Sequence, residues 1–168
     1  MRFWRVTLAS LGVTAMALTV PAAAAAATQY DDAVSGYEYY VTSTEGRFAG
    51  SASGDLPGYW NAIVDHTPLS PSATITGGRL DLATTVNGRR ADVEGTVTGG
   101  TVNRLNPNAT GCVDQSYAVD IALGSVGVNQ SGGGTGEFDG TLIHHRYRAF
   151  GYCVTYSATI RGTLTLTF

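Results

Sequence analysis

The chain has no lysine. Its ten basic residues are all arginine, set against 13 acidic ones, for a formal net charge of −3. An acidic, lysine-free surface argues against nucleic acid or an anionic membrane as partner, because both reward clustered positive charge. Only two cysteines occur, Cys112 and Cys153, and they lack the C-x-x-C spacing of metal and redox sites. The common catalytic and nucleotide signatures are missing as well: H-E-x-x-H, the P-loop, the dinucleotide fingerprint and the EF-hand loop. The nearest approach to a G-x-S-x-G elbow, Gly50-Ser51-Ala52-Ser53-Gly54, has alanine where the nucleophile should stand. No cofactor and no metal are called for, and no catalytic residue is named.

Both methionines, Met1 and Met16, fall in an N-terminal stretch that reads as an export signal. Arg2 and Arg5 precede an apolar run from Val6 to Val20, followed by Pro21 and the string Ala22 to Ala27. A positive start, an apolar centre and small residues before the cut describe a secretory signal peptide. The run is short for a membrane span, which takes about 20 apolar residues. Cleavage after Ala27 is expected, leaving 28–168 as a single domain in an extracellular, oxidising setting. Removal of Arg2 and Arg5 would take the net charge from −3 to −5. No Arg-Arg pair opens the segment, so the general secretory route is expected over the twin-arginine one. In that setting Cys112 and Cys153 are expected to form one structural disulfide.

Beyond residue 28 the apolar residues recur with period two, broken by glycine, proline and asparagine, which predicts about eight β-strands. The stretches read as strands are 37–43, 47–53, 59–66, 112–123 and 137–146, a hairpin on either side of Asn87-Gly88, and a long final strand. Asn87-Gly88 supplies the positive φ angles of a type I′ turn. Setting Val86 against Arg89 places Leu82 opposite Val93, Leu80 opposite Gly95, and Asp81 opposite Glu94. In the last strand Tyr152, Val154, Tyr156, Ala158, Ile160, Leu164 and Leu166 share one face, and mostly hydroxyl residues share the other. Ser131 to Gly136 reads as a glycine-rich loop.

One small pattern repeats: Phe48-Ala49-Gly50-Ser51, Val93-Glu94-Gly95-Thr96, Phe138-Asp139-Gly140-Thr141 and Ile160-Arg161-Gly162-Thr163. Each glycine shares a face with the preceding apolar residue. Repeated in-facing glycines let a sheet curl to closure, which favours an all-β antiparallel barrel over a flat sandwich. With the stretches GRFAGSASGDLPGYW and GGRLDLAT, these G-x-F-x-G pieces resemble secreted bacterial proteins of the allene oxide cyclase-like and dirigent-like barrel group. The resemblance implies the barrel and carries over no catalytic residue.

The disulfide constrains that barrel. If Cys112 and Cys153 both opened strands separated by one other, two strand spacings of about 9.6 Å would exceed the ~7 Å Cα limit for a bridge. Cys112 is therefore expected to reach across from the end of the preceding loop and staple it.

Candidate binding residues come from the expected inner face. Trp60, the one tryptophan beyond the signal segment, leads through Ala62 and Val64 to His66. The stretch LIHHRYRAFGYC, Leu142 to Cys153, continues the inward row of Phe138, Gly140 and Leu142 through His144 and Arg146. A β-bulge would instead turn His145 and Tyr147 inward. Trp60, His66, His144, Arg146 and Tyr156 are thus the candidate ligand-binding set, weighed against ordinary core packing with a solvated rim. An eight-stranded barrel has room for packed side chains or one small ligand. The leading expectation is a secreted, soluble barrel that binds a small apolar or amphipathic molecule. The alternatives are a cyclase or isomerase on the same scaffold, a small outer-membrane barrel with its apolar faces outward, and a surface interaction module. The short apolar rows make membrane association the weaker alternative.

Overall fold

The computed structural model describes residues 26–129 and 131–168; the expected leader lies, except for its last two residues, outside the described residues. Eight antiparallel strands follow one another: β1 (Gln29–Val41), β2 (Glu45–Gly54), β3 (Gly58–His66), β4 (Ser72–Val86), β5 (Arg89–Arg104), β6 (Gln115–Val128), β7 (Ser131–Ala149) and β8 (Tyr152–Thr167). Each strand pairs with the next, and β1 pairs with β8, so the sheet closes into a barrel. The β4–β5 hairpin has the expected register, with Val86↔Arg89, Leu82↔Val93 and Leu80↔Gly95. Asn87 and Gly88 both adopt positive φ at its turn. The like-charge pair Asp81↔Glu94 is also present, and Arg79 Nε lies 3.5 Å from Asp81 Oδ2 on the same face.

Alternation decides what is inside. Val34, Phe48, Trp60, Leu82, Val119, Phe138 and Leu164 are buried in one continuous core, while the intervening serines, threonines, aspartates and arginines line the outer wall. Burial of each such large apolar side chain contributes about 1.5–3 kcal/mol over leaving it exposed. The apolar rows thus turn toward a shared interior, the reverse of a lipid-facing barrel.

The in-facing glycines sit where strands approach most closely. Gly36 pairs with Gly50, and Gly140 with Gly162. A Cβ on Gly50 would collide with the Ser35 carbonyl oxygen, and one on Gly162 with that of Asp139. A Cβ on Gly36 would stand 2.7 Å from Trp60 Cζ2, so this glycine makes room for the indole.

Three expectations need correction. β1 begins at Gln29 rather than Tyr37, and β7 takes in the glycine run expected to be a loop. The glycines there permit close contact: a Cβ on Gly132 or Gly134 would collide with neighbouring backbone carbonyls. The third concerns β8, where Tyr152, Val154 and Tyr156 do not share the face of Ala158. His145 pairs with Ser157 and Arg146 with Thr155, so Tyr156 is the extra residue of a bulge. It lies outside, 64% exposed, against the rings of His145 and Tyr147.

The disulfide joins Cys112 to Cys153 with a Cα separation of 5.4 Å. Cys153 is on β8, and Cys112 lies before β6 in the loop 105–114. The strand spacing therefore forces the arrangement expected from geometry, with the cysteine of the loop reaching past β7.

Candidate functional site

The barrel has two unlike ends. At one, the turn between β2 and β3 tucks Leu56 inward, its N–H donating to Asp32 Oδ1 at 2.9 Å. Thr84 donates to the Pro57 carbonyl at 2.9 Å, and fully buried Val126 and Leu166 complete the plug. Toward the other end the interior is hollow. A cavity of about 430 Å³ runs from Leu164 and Phe138 to the loop residues Thr42, Ser43, Pro68 and Leu69. Its wall is apolar along the barrel, with Val34, Trp60, Leu80, Val97 and Ile121 among the lining side chains.

Polar groups gather only near that loop end: Glu38, His66, Gln115, Tyr117 and His144. His144 Nε2 lies 3.4 Å from Glu38 Oε2, with the two side chains 16% and 7% exposed. The pair is close enough for an ion pair if the imidazole is protonated, but poorly aligned for a hydrogen bond, and Nε2 has no hydrogen-bond partner. The His144 ring packs against Tyr117, with centroids 5.2 Å apart. His66 Nδ1 donates to the Thr67 carbonyl at 2.8 Å.

Behind Gln115 two guanidiniums converge. With its amide oriented to satisfy both ends, the Gln115 oxygen accepts from Arg104 Nη2 at 3.1 Å and Arg146 Nη1 at 2.8 Å, and its nitrogen donates to the Tyr117 hydroxyl at 3.0 Å. Arg104 Nε is buried without a partner. Burial pushes the Tyr117 phenol above its ordinary value, and the Arg104 and Arg146 charges oppose that shift. Here, then, a neutral amide is the acceptor for two cations.

Of the five candidate residues, Trp60, His66 and His144 line the cavity and Arg146 reaches its edge through Gln115. Tyr156 is on the outer wall. Alternation through β7 is unbroken up to Arg146 because the bulge falls on β8, so His144 points in and His145 out. Four contributors were missed: Glu38, Arg104, Gln115 and Tyr117. Extending the inward row Val34, Gly36 by one step would have found Glu38. Following the row Leu123, Ile121 and Val119 backwards would likewise have reached Tyr117 and Gln115, whereas Arg104 is marked only by its contact with Gln115.

Outward from β7, His145 Nδ1 bonds Asp114 Oδ2 at 2.9 Å and Nε2 bonds Thr159 Oγ1 at 3.0 Å. The Arg146 N–H donates to the other Asp114 oxygen at 2.9 Å. That backbone bond, and then the His145 bond, hold the Asp114 carboxyl below its usual range. An ionised carboxylate can only accept, so Nδ1 carries a proton.

No family model, no curated protein and no solved structure matches this chain.

Proposed function

We propose that the protein is a secreted barrel that binds one small apolar or amphipathic molecule in its interior. Kinship with the allene oxide cyclase-like and dirigent-like barrels remains part of this reading. The observation that carries it is the segregation inside the cavity: a long apolar wall, closed at one end, with polar side chains confined to the other. Ligand pockets of about 300–1,000 Å³ are typically built this way, with an apolar body and a few polar groups that fix orientation. The cavity of about 430 Å³ lies within that range. The apolar part of such a ligand would lie along Val97, Ile121 and Trp60. Its polar end would meet His144, Glu38 and the Gln115–Tyr117 pair.

A neutral fluorescent probe such as N-phenyl-1-naphthylamine tests this reading. Its emission should rise on addition of the protein and saturate at one site. The Ala62→Phe variant, which fills the cavity from its wall, should abolish that rise. No saturable emission with wild-type protein would overturn the reading.

One geometric feature favours a second reading, a cyclase- or isomerase-type enzyme on the same scaffold. Glu38 and His144 place a proton acceptor and a potential donor 3.4 Å apart beside an apolar pocket. General acid–base catalysis contributes about 10²–10⁴-fold in rate. Glu38→Gln separates the readings: binding is retained in both, and turnover of a bound substrate is lost only in the second.

A further inference from the structure

The outer wall carries a second concave site, separated from the interior by the strands and backed by Trp60 and Ile160, which line both. A groove crosses β3, β2, β1, β8 and β7, lined by Tyr59, Asn61, Tyr37, Thr159, His145 and Arg161, with Ala49, Ser51 and Ser35 as its floor. Strand register arranges these residues in two cross-strand rows. One runs Asn61, Ala49, Tyr37, Thr159 and the other Tyr59, Ser51, Ser35, Arg161. Three strand spacings, about 14 Å, separate Tyr59 from Arg161 in the second row.

Three of the four side chains at the ends of these rows, Asn61, Tyr59 and Arg161, are unengaged. Tyr59 is 76% exposed, and neither its ring, the Asn61 amide nor the Arg161 guanidinium has a side-chain partner among the described residues. His145, by contrast, is fixed by its hydrogen bonds to Asp114 and Thr159, and His145 and Thr159 present a pre-oriented polar edge.

In a chain acidic overall, one local positive charge points to an occupant held by a single carboxylate together with stacking and hydroxyl contacts, unlike nucleic acid or an anionic membrane, which need clustered positive charge. The chain has 13 acidic residues, yet no carboxylate lines the groove, and Arg161 is its one permanently charged side chain. A guanidinium without a counter-ion matches a carboxylate in bidentate geometry. An exposed tyrosine ring offers a flat face of negative partial charge, suited to the C–H groups of a sugar ring. Amide and hydroxyl groups between them suit hydroxyls. We infer that this groove binds an acidic polysaccharide, with sugar rings stacked on Tyr59 and a uronate carboxylate on Arg161.

Affinity electrophoresis of the folded protein through gels containing polygalacturonate or alginate tests the site, with fully methyl-esterified polygalacturonate as the uncharged comparator. Migration should be retarded by at least one polyuronate, at least tenfold more strongly than by the ester. Arg161→Gln should abolish that difference, and Tyr59→Ala should weaken retention in both gels. Both substitutions are on the exposed wall, and an unchanged melting temperature confirms their folding. The cavity variant Ala62→Phe should be retained like wild type, which separates this site from the interior one. Lack of retardation by both polyuronates overturns the inference. So does equal retardation by the ester, or retention indifferent to both substitutions.

Discussion

Two aspartates show how one side-chain type acquires opposite pH dependence. Asp32 is 1% exposed in the plugged end, and loss of water raises its pKa against the lowering effect of the Leu56 N–H. A carboxyl whose folded pKa is raised is a stability cost that grows as pH rises through that value. Asp32→Asn retains an oxygen for Leu56 and should match or exceed wild-type stability at pH 7, with the advantage vanishing in acid. Asp32→Ala orphans the Leu56 N–H and should lose about 1–3 kcal/mol at any pH. Denaturant titrations at pH 3 and pH 7 would show both. Asp114 has the opposite sign. Its folded pKa is depressed by the Arg146 N–H and His145, so its contribution is present above the ordinary carboxylate range and lost as pH falls through the folded value. Asp114→Asn should therefore shift the acid-unfolding midpoint upward, with a smaller difference from wild type at the lowest pH. An unchanged midpoint would show that the surface relay contributes nothing to folding.

At the scale of the elements, what the sequence disclosed depended on how local the signal was. The β4–β5 hairpin was legible to the residue because Asn87-Gly88 fixes a turn and its flanks fix a register. The reach of Cys112 followed from strand spacing alone. The start of β1 was hidden because Asp31, Asp32 and Gly36 are poor strand formers; their partners on β8 and β2 are what order them. The turn at Phe150-Gly151, where both residues have positive φ, was equally silent, since phenylalanine is no turn signal. The candidate site was half legible for the same reason. Period two locates Trp60 and His144, but nothing local marks the bulge that expels Tyr156, nor the contact of His145 with Asp114 from 31 residues away. Two predictions belong here. Gly162→Val places a side chain against the Asp139 carbonyl and Gly140, and should destabilise by more than 2 kcal/mol, as expected where backbone must move. Replacing both cysteines by serine should lower stability by about 2–4 kcal/mol, the usual worth of a bridge closing a loop of this length. Chemical denaturation of each variant measures these losses.

Over the whole molecule, the hollow and the plug are two parts of one design. Closure of β1 on β8 leaves no sheet edge, and the Leu56–Asp32 plug seals one end, so the apolar wall is lost to water only from the loop end. An occupant that enters there binds the folded barrel and not the unfolded chain, so it must stabilise the fold by mass action. At a concentration 100 times its Kd the gain is about 2.7 kcal/mol. Spread over a domain of this size, at roughly 2–4 °C per kcal/mol, that corresponds to a rise in melting temperature of about 5–11 °C. The rise should grow with the logarithm of ligand concentration. It should disappear in Ala62→Phe, whose own melting temperature without ligand should stay near wild type because the new ring fills existing space. A probe that fluoresces with the protein yet leaves the melting temperature of both forms unmoved would be resting on the outer wall. The interior would then be a packing void and not a binding site.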